Sequence, residues 1–307
     1  MKRKILMWLL LVLSLCISLV ACGENDSGGA GEENTDNGIQ AGLQYELSED
    51  GKSYIVSGIG GCKDKDLVIP SEYKGLPVTC IGSGAFSECE LLTSVVIPNT
   101  VTTIKDHAFI RCTSLESVEL PNSITFIGSN SFCECKALKS IEIPESVTSI
   151  ELWAFYDCDS LTSVKLPNGI TSIDMGVFSE CDGLTSVVIP SGVTAIGESA
   201  FGHCRLLESV VMGNNVTSIG DYAFGDCVSL KNIEIPSSVI SIGRTAFDSN
   251  DSLTGIVIPE SVETMGYWAF WNCEELTVYC EAQSQPQGWD AEWKDPSCQV
   301  VWGYEGK

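Results

Sequence analysis

Phenylalanine recurs every 23 residues nine times over, at Phe86, Phe109, Phe132, Phe155, Phe178, Phe201, Phe224, Phe247 and Phe270. Three residues after each comes a cysteine, with Asn250 standing in once, and three further on always a leucine, from Leu92 to Leu276. A fixed period of this length is the signature of a stacked-repeat architecture, in which one unit cannot bury its apolar face but a row of units can. The period therefore excludes most globular folds before any single residue is weighed.

Each leucine leads into an alternating segment such as Val95-Val96-Ile97-Pro98. Period-2 alternation predicts a short strand, and a proline without an N–H predicts its end in a turn. Beyond the turn runs Val-Thr-Thr-Ile or a relative, ending on Ile81, Ile104, Ile127, Ile150, Ile173, Ile196, Ile219, Ile242 or Met265. Glycine follows in Gly82, Gly128, Gly197, Gly220, Gly243 and Gly266, while Lys105, Glu151 and Asp174 take the same place elsewhere. That mixture marks a turn with no absolute need for positive φ. The expected solenoid carries one parallel strand per repeat at about 4.8 Å spacing, so nine repeats extend roughly 45 Å.

The unit Ala-Phe-x-x-Cys-x-x-Leu-x-x-Val-x-Ile-Pro-x-x-Val-Thr-x-Ile-Gly resembles the BspA-like leucine-rich repeats of bacterial surface proteins, over residues 62 to about 280. The resemblance implies a leucine-rich-repeat solenoid with an irregular or short-helical convex side. It also implies a cell-surface or secreted protein, several such proteins being associated with attachment to host proteins or other bacteria, and no enzymatic activity. Tyr54 to Ile81 resembles a divergent first repeat, with Cys62 near the ladder position, Leu67-Val68-Ile69-Pro70 as its strand and Ser71 to Cys80 as a longer turn. After Cys280 the repetition stops, and Trp289, Trp293 and Trp302 offer aromatic area to close the other end of the core.

The chain begins with Lys2-Arg3-Lys4 and an apolar run from Ile5 to Ala21, a charged n-region and an h-region. The run ends Leu19-Val20-Ala21-Cys22, which resembles a bacterial lipobox, so cleavage is expected just before Cys22 and a diacylglyceryl group on its sulfur. The alternative, an uncleaved membrane helix, is disfavoured because its 17 residues span only about 26 Å. Residues 23 to 42 are mainly Gly, Asn, Asp, Glu, Ser and Thr, too polar to bury surface against chain entropy, and lack the ordered acidic spacing of a calcium loop. The expected organisation is a signal peptide over 1–21, a lipidated cysteine and acidic, glycine-rich tether over 22–42, an N-terminal cap with the first repeat over 43–81, the solenoid over 82–280 and a C-terminal cap over 281–307. Localisation is expected at the outward face of the bacterial cell membrane, with the lipid as the sole membrane contact.

Without Lys2, Arg3 and Lys4 the chain holds 14 basic residues against 41 acidic ones. That excess repels phosphate backbones, so no nucleic acid partner is expected and a basic protein fits better.

The 15 cysteines look at first like a disulfide framework of an exported protein. One cysteine per repeat instead gives a single file along the axis, whereas zinc needs four ligands converging tetrahedrally. A position that accepts either Cys or Asn250 wants a small buried side chain able to contact backbone groups, so the file reads as structural thiols. Pairs Cys280 with Cys298, or Cys62 with Cys80, remain open as capping disulfides. No metal and no cofactor are expected.

No catalytic residue is singled out. His203 precedes Cys204, but its column otherwise reads Glu88, Arg111, Glu134, Asp157, Glu180, Asp226, Ser249 and Asn272, an exposed mixed position. His107 sits in an equally variable column, and no nucleophile elbow, phosphate loop or dinucleotide fingerprint occurs. An unrecognised hydrolase is the remotest of the readings.

Binding is expected on the strand face, where outward positions of successive coils form an extended surface. With Val95 and Ile97 inward, the outward column is Val96, Glu119, Glu142, Lys165, Val188, Val211, Glu234 and Val257, beside a companion column of mainly serines from Ser94 to Ser209. This smooth sheet predicts an extracellular protein ligand and a non-catalytic role in adhesion or protein interaction, although β-branched residues also simply suit strands. A second candidate patch is Trp153 with Tyr156, and Trp268 with Trp271, whose exposed rings would stack on sugars. It carries the alternative, a glycan-binding surface protein that retains polysaccharide at the cell envelope.

Overall fold

A computed structural model describes residues 42–306. Cys22, its signal peptide and most of the tether lie outside the described residues. Residues 42–306 belong to one compact unit.

The chain winds as a β-solenoid, and the described residues contain strands and turns but no helix. Of the two forms the convex side was expected to take, it takes the irregular one. The predicted strands form a parallel main file that starts at Asp66–Val68, and Gln299–Trp302, in the cap where repetition was expected to have stopped, extends it to eleven strands hydrogen-bonded in four groups. Register steps by one repeat, so Ser94 faces Ser117 and Val188 faces Val211. The prolines end these strands as expected: the N–H of Val101 closes back on the Pro98 carbonyl at 3.0 Å, and that of Ile124 on Pro121 at 3.1 Å.

A second file, absent from the sequence reading, runs along another side of each coil. Nine strands from Leu76–Ile81 to Thr264–Met265, most of two residues, carry the isoleucines Ile81 to Ile242 inward. Between the two files the Phe side chains form a column of stacked rings. All nine are fully buried. Consecutive centroids lie 5.0 Å apart for Phe86 and Phe109 and at most 5.6 Å for Phe178 and Phe201. Near-parallel offset rings of this kind add about 0.5–1.5 kcal/mol per pair to the area they bury.

The third side, around Ala-Phe, is held by alternating bonds. The N–H groups of Gly84, Phe86 and Glu88 reach the next coil at Asp106, Ala108 and Ile110, while those of Ala85, Ser87 and Cys89 turn back three residues. This zigzag places two residues per coil in the left-handed region, two before and two after each Phe. Among them are Trp153 at φ 59, Thr245 at φ 50 and His203 at φ 61, with only Gly84 and Gly176 free of a side chain. Left-handed backbone costs an L-residue about 1–2 kcal/mol, which the coil-to-coil hydrogen bonds offset. The glycines after each isoleucine, by contrast, keep negative φ. A Cβ on Gly220 would come 2.7 Å from the Gly197 carbonyl carbon, so close coil approach accounts for that glycine.

At the N-terminal end, Gln44–Leu47 and Tyr54–Gly58 pair antiparallel, and Tyr54–Gly58 continues the second file onto Leu76–Ile81. Asp66–Val68 joins the main file with Leu67 opposite Val95, and the longer turn contains a small hairpin of Glu72–Tyr73 against Leu76 and Pro77. Tyr45 stacks on Tyr73 at 3.9 Å, and Tyr54 meets both edge-on. At the C-terminal end Trp293 meets Phe270 edge-on at 6.0 Å, and the Trp289 Nε1–H donates to the Val262 carbonyl at 2.9 Å. Trp289 and Trp293 are buried, and Trp302 packs against Trp289.

Candidate interaction surface

The inward residues of each main-file strand lock the outward ones into a straight row. Glu119, Glu142, Lys165, Val188, Val211 and Glu234 stand on successive coils and are all exposed. Val188 and Val211 expose 62% and 59% of their area, a high value for branched aliphatics on a strand. Neighbouring charges are paired along the axis. Lys165 Nζ lies 2.8 Å from Glu142 Oε1, and three positions earlier in the repeat Lys231 Nζ lies 3.0 Å from Glu208 Oε2. Lys139 pairs with Glu116 in the same way. These exposed pairs each contribute little to stability, but they leave the valines bordered by Lys165, already matched to Glu142, and by the matched Lys231–Glu208 pair beside the row.

Trp153 and Tyr156 lie on the left-handed turn side, away from this row. Trp153 lies flat over the next coil, where a Cβ on Gly176 would stand 2.1 Å from its ring. Tyr156 meets Trp153 edge-on at 5.2 Å and donates its hydroxyl to Glu180 Oε1 at 2.7 Å. Burial and the Glu180 carboxylate both push the Tyr156 hydroxyl above its usual range. Trp268 is stacked between Tyr267 and Trp271 at 4.3 and 4.4 Å.

The cysteine column has a defined bonding role. Cys112 Sγ donates to the Phe86 carbonyl at 3.0 Å, Cys135 to Phe109 at 3.2 Å, and the pattern repeats through Cys227 on Phe201. Asn250 takes the same place with its Nδ2 on Phe224 at 2.9 Å. Burial drives the Cys135, Cys227 and Cys273 thiols up, Cys273 to about 12. Cys62, Cys80, Cys280 and Cys298 are unbridged thiols. Cys204 points inward to the Phe178 carbonyl at 3.1 Å, so it does not meet His203, whose Nδ1 lies 2.7 Å from Asp226 Oδ2.

A family model for the BspA type leucine rich repeat region, in six copies, matches residues 79–207 and 194–283. The chain belongs to the BspA-type leucine-rich-repeat family. Solved structures of leucine-rich repeat proteins are similar to this chain. A leucine-rich repeat protein from Bacteroides ovatus is 27% identical with a TM-score of 0.63, over 87% of this chain and 77% of that one. The T. pallidum leucine rich repeat protein is 27% identical with a TM-score of 0.49, over 76% and 87%. A leucine rich cell surface protein from Faecalibacterium prausnitzii is 23% identical with a TM-score of 0.43, over 87% and 99%. A comparison with curated protein sequences gives no match.

Proposed function

We propose that this BspA-type protein is a non-catalytic, cell-surface interaction module, anchored through a lipid on Cys22, that binds an extracellular protein on its main strand face. The observation that carries the reading is the exposed Val188–Val211 pair, in register on adjacent coils and bordered by the Glu142–Lys165 ion pair. Apolar side chains presented side by side on a flat sheet supply the desolvated centre of an interface, and paired charges supply its rim. The acidic excess of the whole chain favours a basic partner by steering. The seating of Trp153 over Gly176 and the tie of Tyr156 to Glu180 favour protein binding over glycan stacking, because both rings are engaged by their own solenoid.

The test is a screen of the purified protein against arrays of extracellular proteins and of glycans at physiological salt. Saturable binding to a protein is the expected result. Hits confined to glycans, lost on Trp153→Ala, overturn it in favour of polysaccharide retention. Anchoring is tested by Cys22→Ala, which is expected to release the protein from the membrane fraction.

A further inference from the structure

The main file ends on Gln299–Trp302, and nothing among the described residues pairs with the outer edge of that strand. Along a parallel ladder alternate residues bond to opposite neighbours. Thr277 and Glu281 donate to Thr254 and Ile258 at 3.0 and 3.1 Å, so the intervening Val278 and Cys280 turn their backbone groups to Gln299–Trp302. The Gln299 N–H donates to the Leu276 carbonyl at 3.1 Å, which directs the N–H and carbonyl groups of Val300 and Trp302 to the outer side. The chain does not fold over them, because Gly303 and Tyr304 donate back to Ala282 and Cys280. The side chains leave the same gap. Val278 and Cys280 are fully buried, whereas Val300 and Trp302, opposite them on the last strand, are half-buried. Val301, between these two, is 41% exposed on the outward row. Edge strands are usually blunted by charges or proline, and Gln-Val-Val-Trp carries neither.

Charge around this edge selects its occupant. Residues 274–306 hold seven carboxylates and one lysine, and among the described residues none of the seven is in an ion pair. The lysine, Lys294, spends its Nζ on the Asp295 and Cys298 carbonyls, each at 3.0 Å. Two such ends repel each other, which disfavours a second copy, while a cationic segment is drawn in. We propose that Gln299–Trp302 is an acceptor edge for strand addition by an extended segment of a partner protein, apolar on one face and rich in lysine or arginine on the other. The added backbone pairs with the open N–H and carbonyl groups of Val300 and Trp302, its apolar face covers those two side chains, and its cations meet the surrounding carboxylates. The edge is separate from the Val188–Val211 pair, and neither site depends on the other being occupied.

The experiment uses the full chain and, as probe, a fluorescein-labelled peptide of alternating valine and lysine, read by anisotropy at physiological salt. Saturable binding is expected. The same peptide with every backbone nitrogen methylated keeps its charge but loses its donors, and is expected to bind about tenfold or more weakly. Val300→Pro removes an outward N–H that lies outside the ladder to Thr277–Cys280, and is expected to weaken the unmethylated peptide by about tenfold or more. Val301→Lys, which charges the exposed row and leaves the backbone donors in place, is expected to weaken it by a smaller factor. Absence of saturable binding, equal binding of the methylated peptide, or full binding by Val300→Pro overturns the proposal. So does a dimer of the unmodified protein in sedimentation velocity that Val300→Pro abolishes, since a second copy then holds the edge.

Discussion

Asn250 Nδ2 donates to the Phe224 carbonyl at 2.9 Å, filling in one coil the place where Cys227 Sγ donates to Phe201 at 3.2 Å in the coil before. The substitution keeps the donor but adds an oxygen: Asn250 Oδ1 is buried with no hydrogen-bond partner. Asn250→Cys should therefore stabilise the solenoid by about 1 kcal/mol, since a buried unsatisfied polar atom costs about 1–3 kcal/mol. Asn250→Ala should destabilise it by a similar amount, because the Phe224 carbonyl then loses its side-chain donor. Urea unfolding midpoints of the two variants check the opposite signs.

The ring file predicts a larger effect. Phe178 is fully buried with Phe155 and Phe201 stacked 5.4 and 5.6 Å away. Phe178→Ala is expected to cost about 3–5 kcal/mol, the range for truncating a buried aromatic. Contacts run mainly between neighbouring coils, so amide exchange should speed up first around residues 155 to 201 and not at the chain ends. Uniform acceleration along the whole solenoid would contradict that picture.

Thr245 holds φ 50, where a β-branched residue is least at ease. Asn tolerates that region, so Thr245→Asn is expected to raise stability by about 1 kcal/mol despite losing the hydroxyl bond to the Arg244 carbonyl. A lower melting temperature would show that this hydroxyl bond outweighs the backbone strain.

Asp248 supplies a pH dependence. Burial lifts its carboxyl to about 6, with the Asp226 charge adding to the rise and Ser249 and His203 opposing it. The folded form thus binds this proton more tightly than the unfolded chain, and the site's contribution to stability is lost as pH rises from about 4 to about 6. Asp248→Asn should leave stability at pH 4 nearly unchanged and raise it at pH 7. Thermal unfolding at the two pH values checks this, and an equal shift at both contradicts it.

The main file was legible because it carries three coincident signals: alternation, a terminating proline and an invariant leucine before it. The second file was not, since two-residue strands such as Ser172–Ile173 are too short to show a period. The outward direction of Val188 and Val211 followed from alternation alone, whereas the seating of Trp153 depended on Gly176 in the next coil, a relation 23 residues distant. The left-handed turns were missed because His107, Trp268 and Thr245 disguise a column whose Gly84, Asn130 and Gly176 were the available hint. The capping thiols, left open in sequence, are unbridged, and Cys298 Sγ turns to the Cys273 carbonyl of the preceding coil.

The most direct test of the interaction face compares two arginine variants against the protein ligand found on the array. Val211→Arg alters the main strand face, while Ile240→Arg alters an equally aliphatic residue, 46% exposed, beside the second file. Biolayer interferometry is expected to show Val211→Arg weakening binding about tenfold or more, with Ile240→Arg unchanged. Equal weakening by both variants, or full binding by Val211→Arg, would contradict a ligand seated on the main strand face.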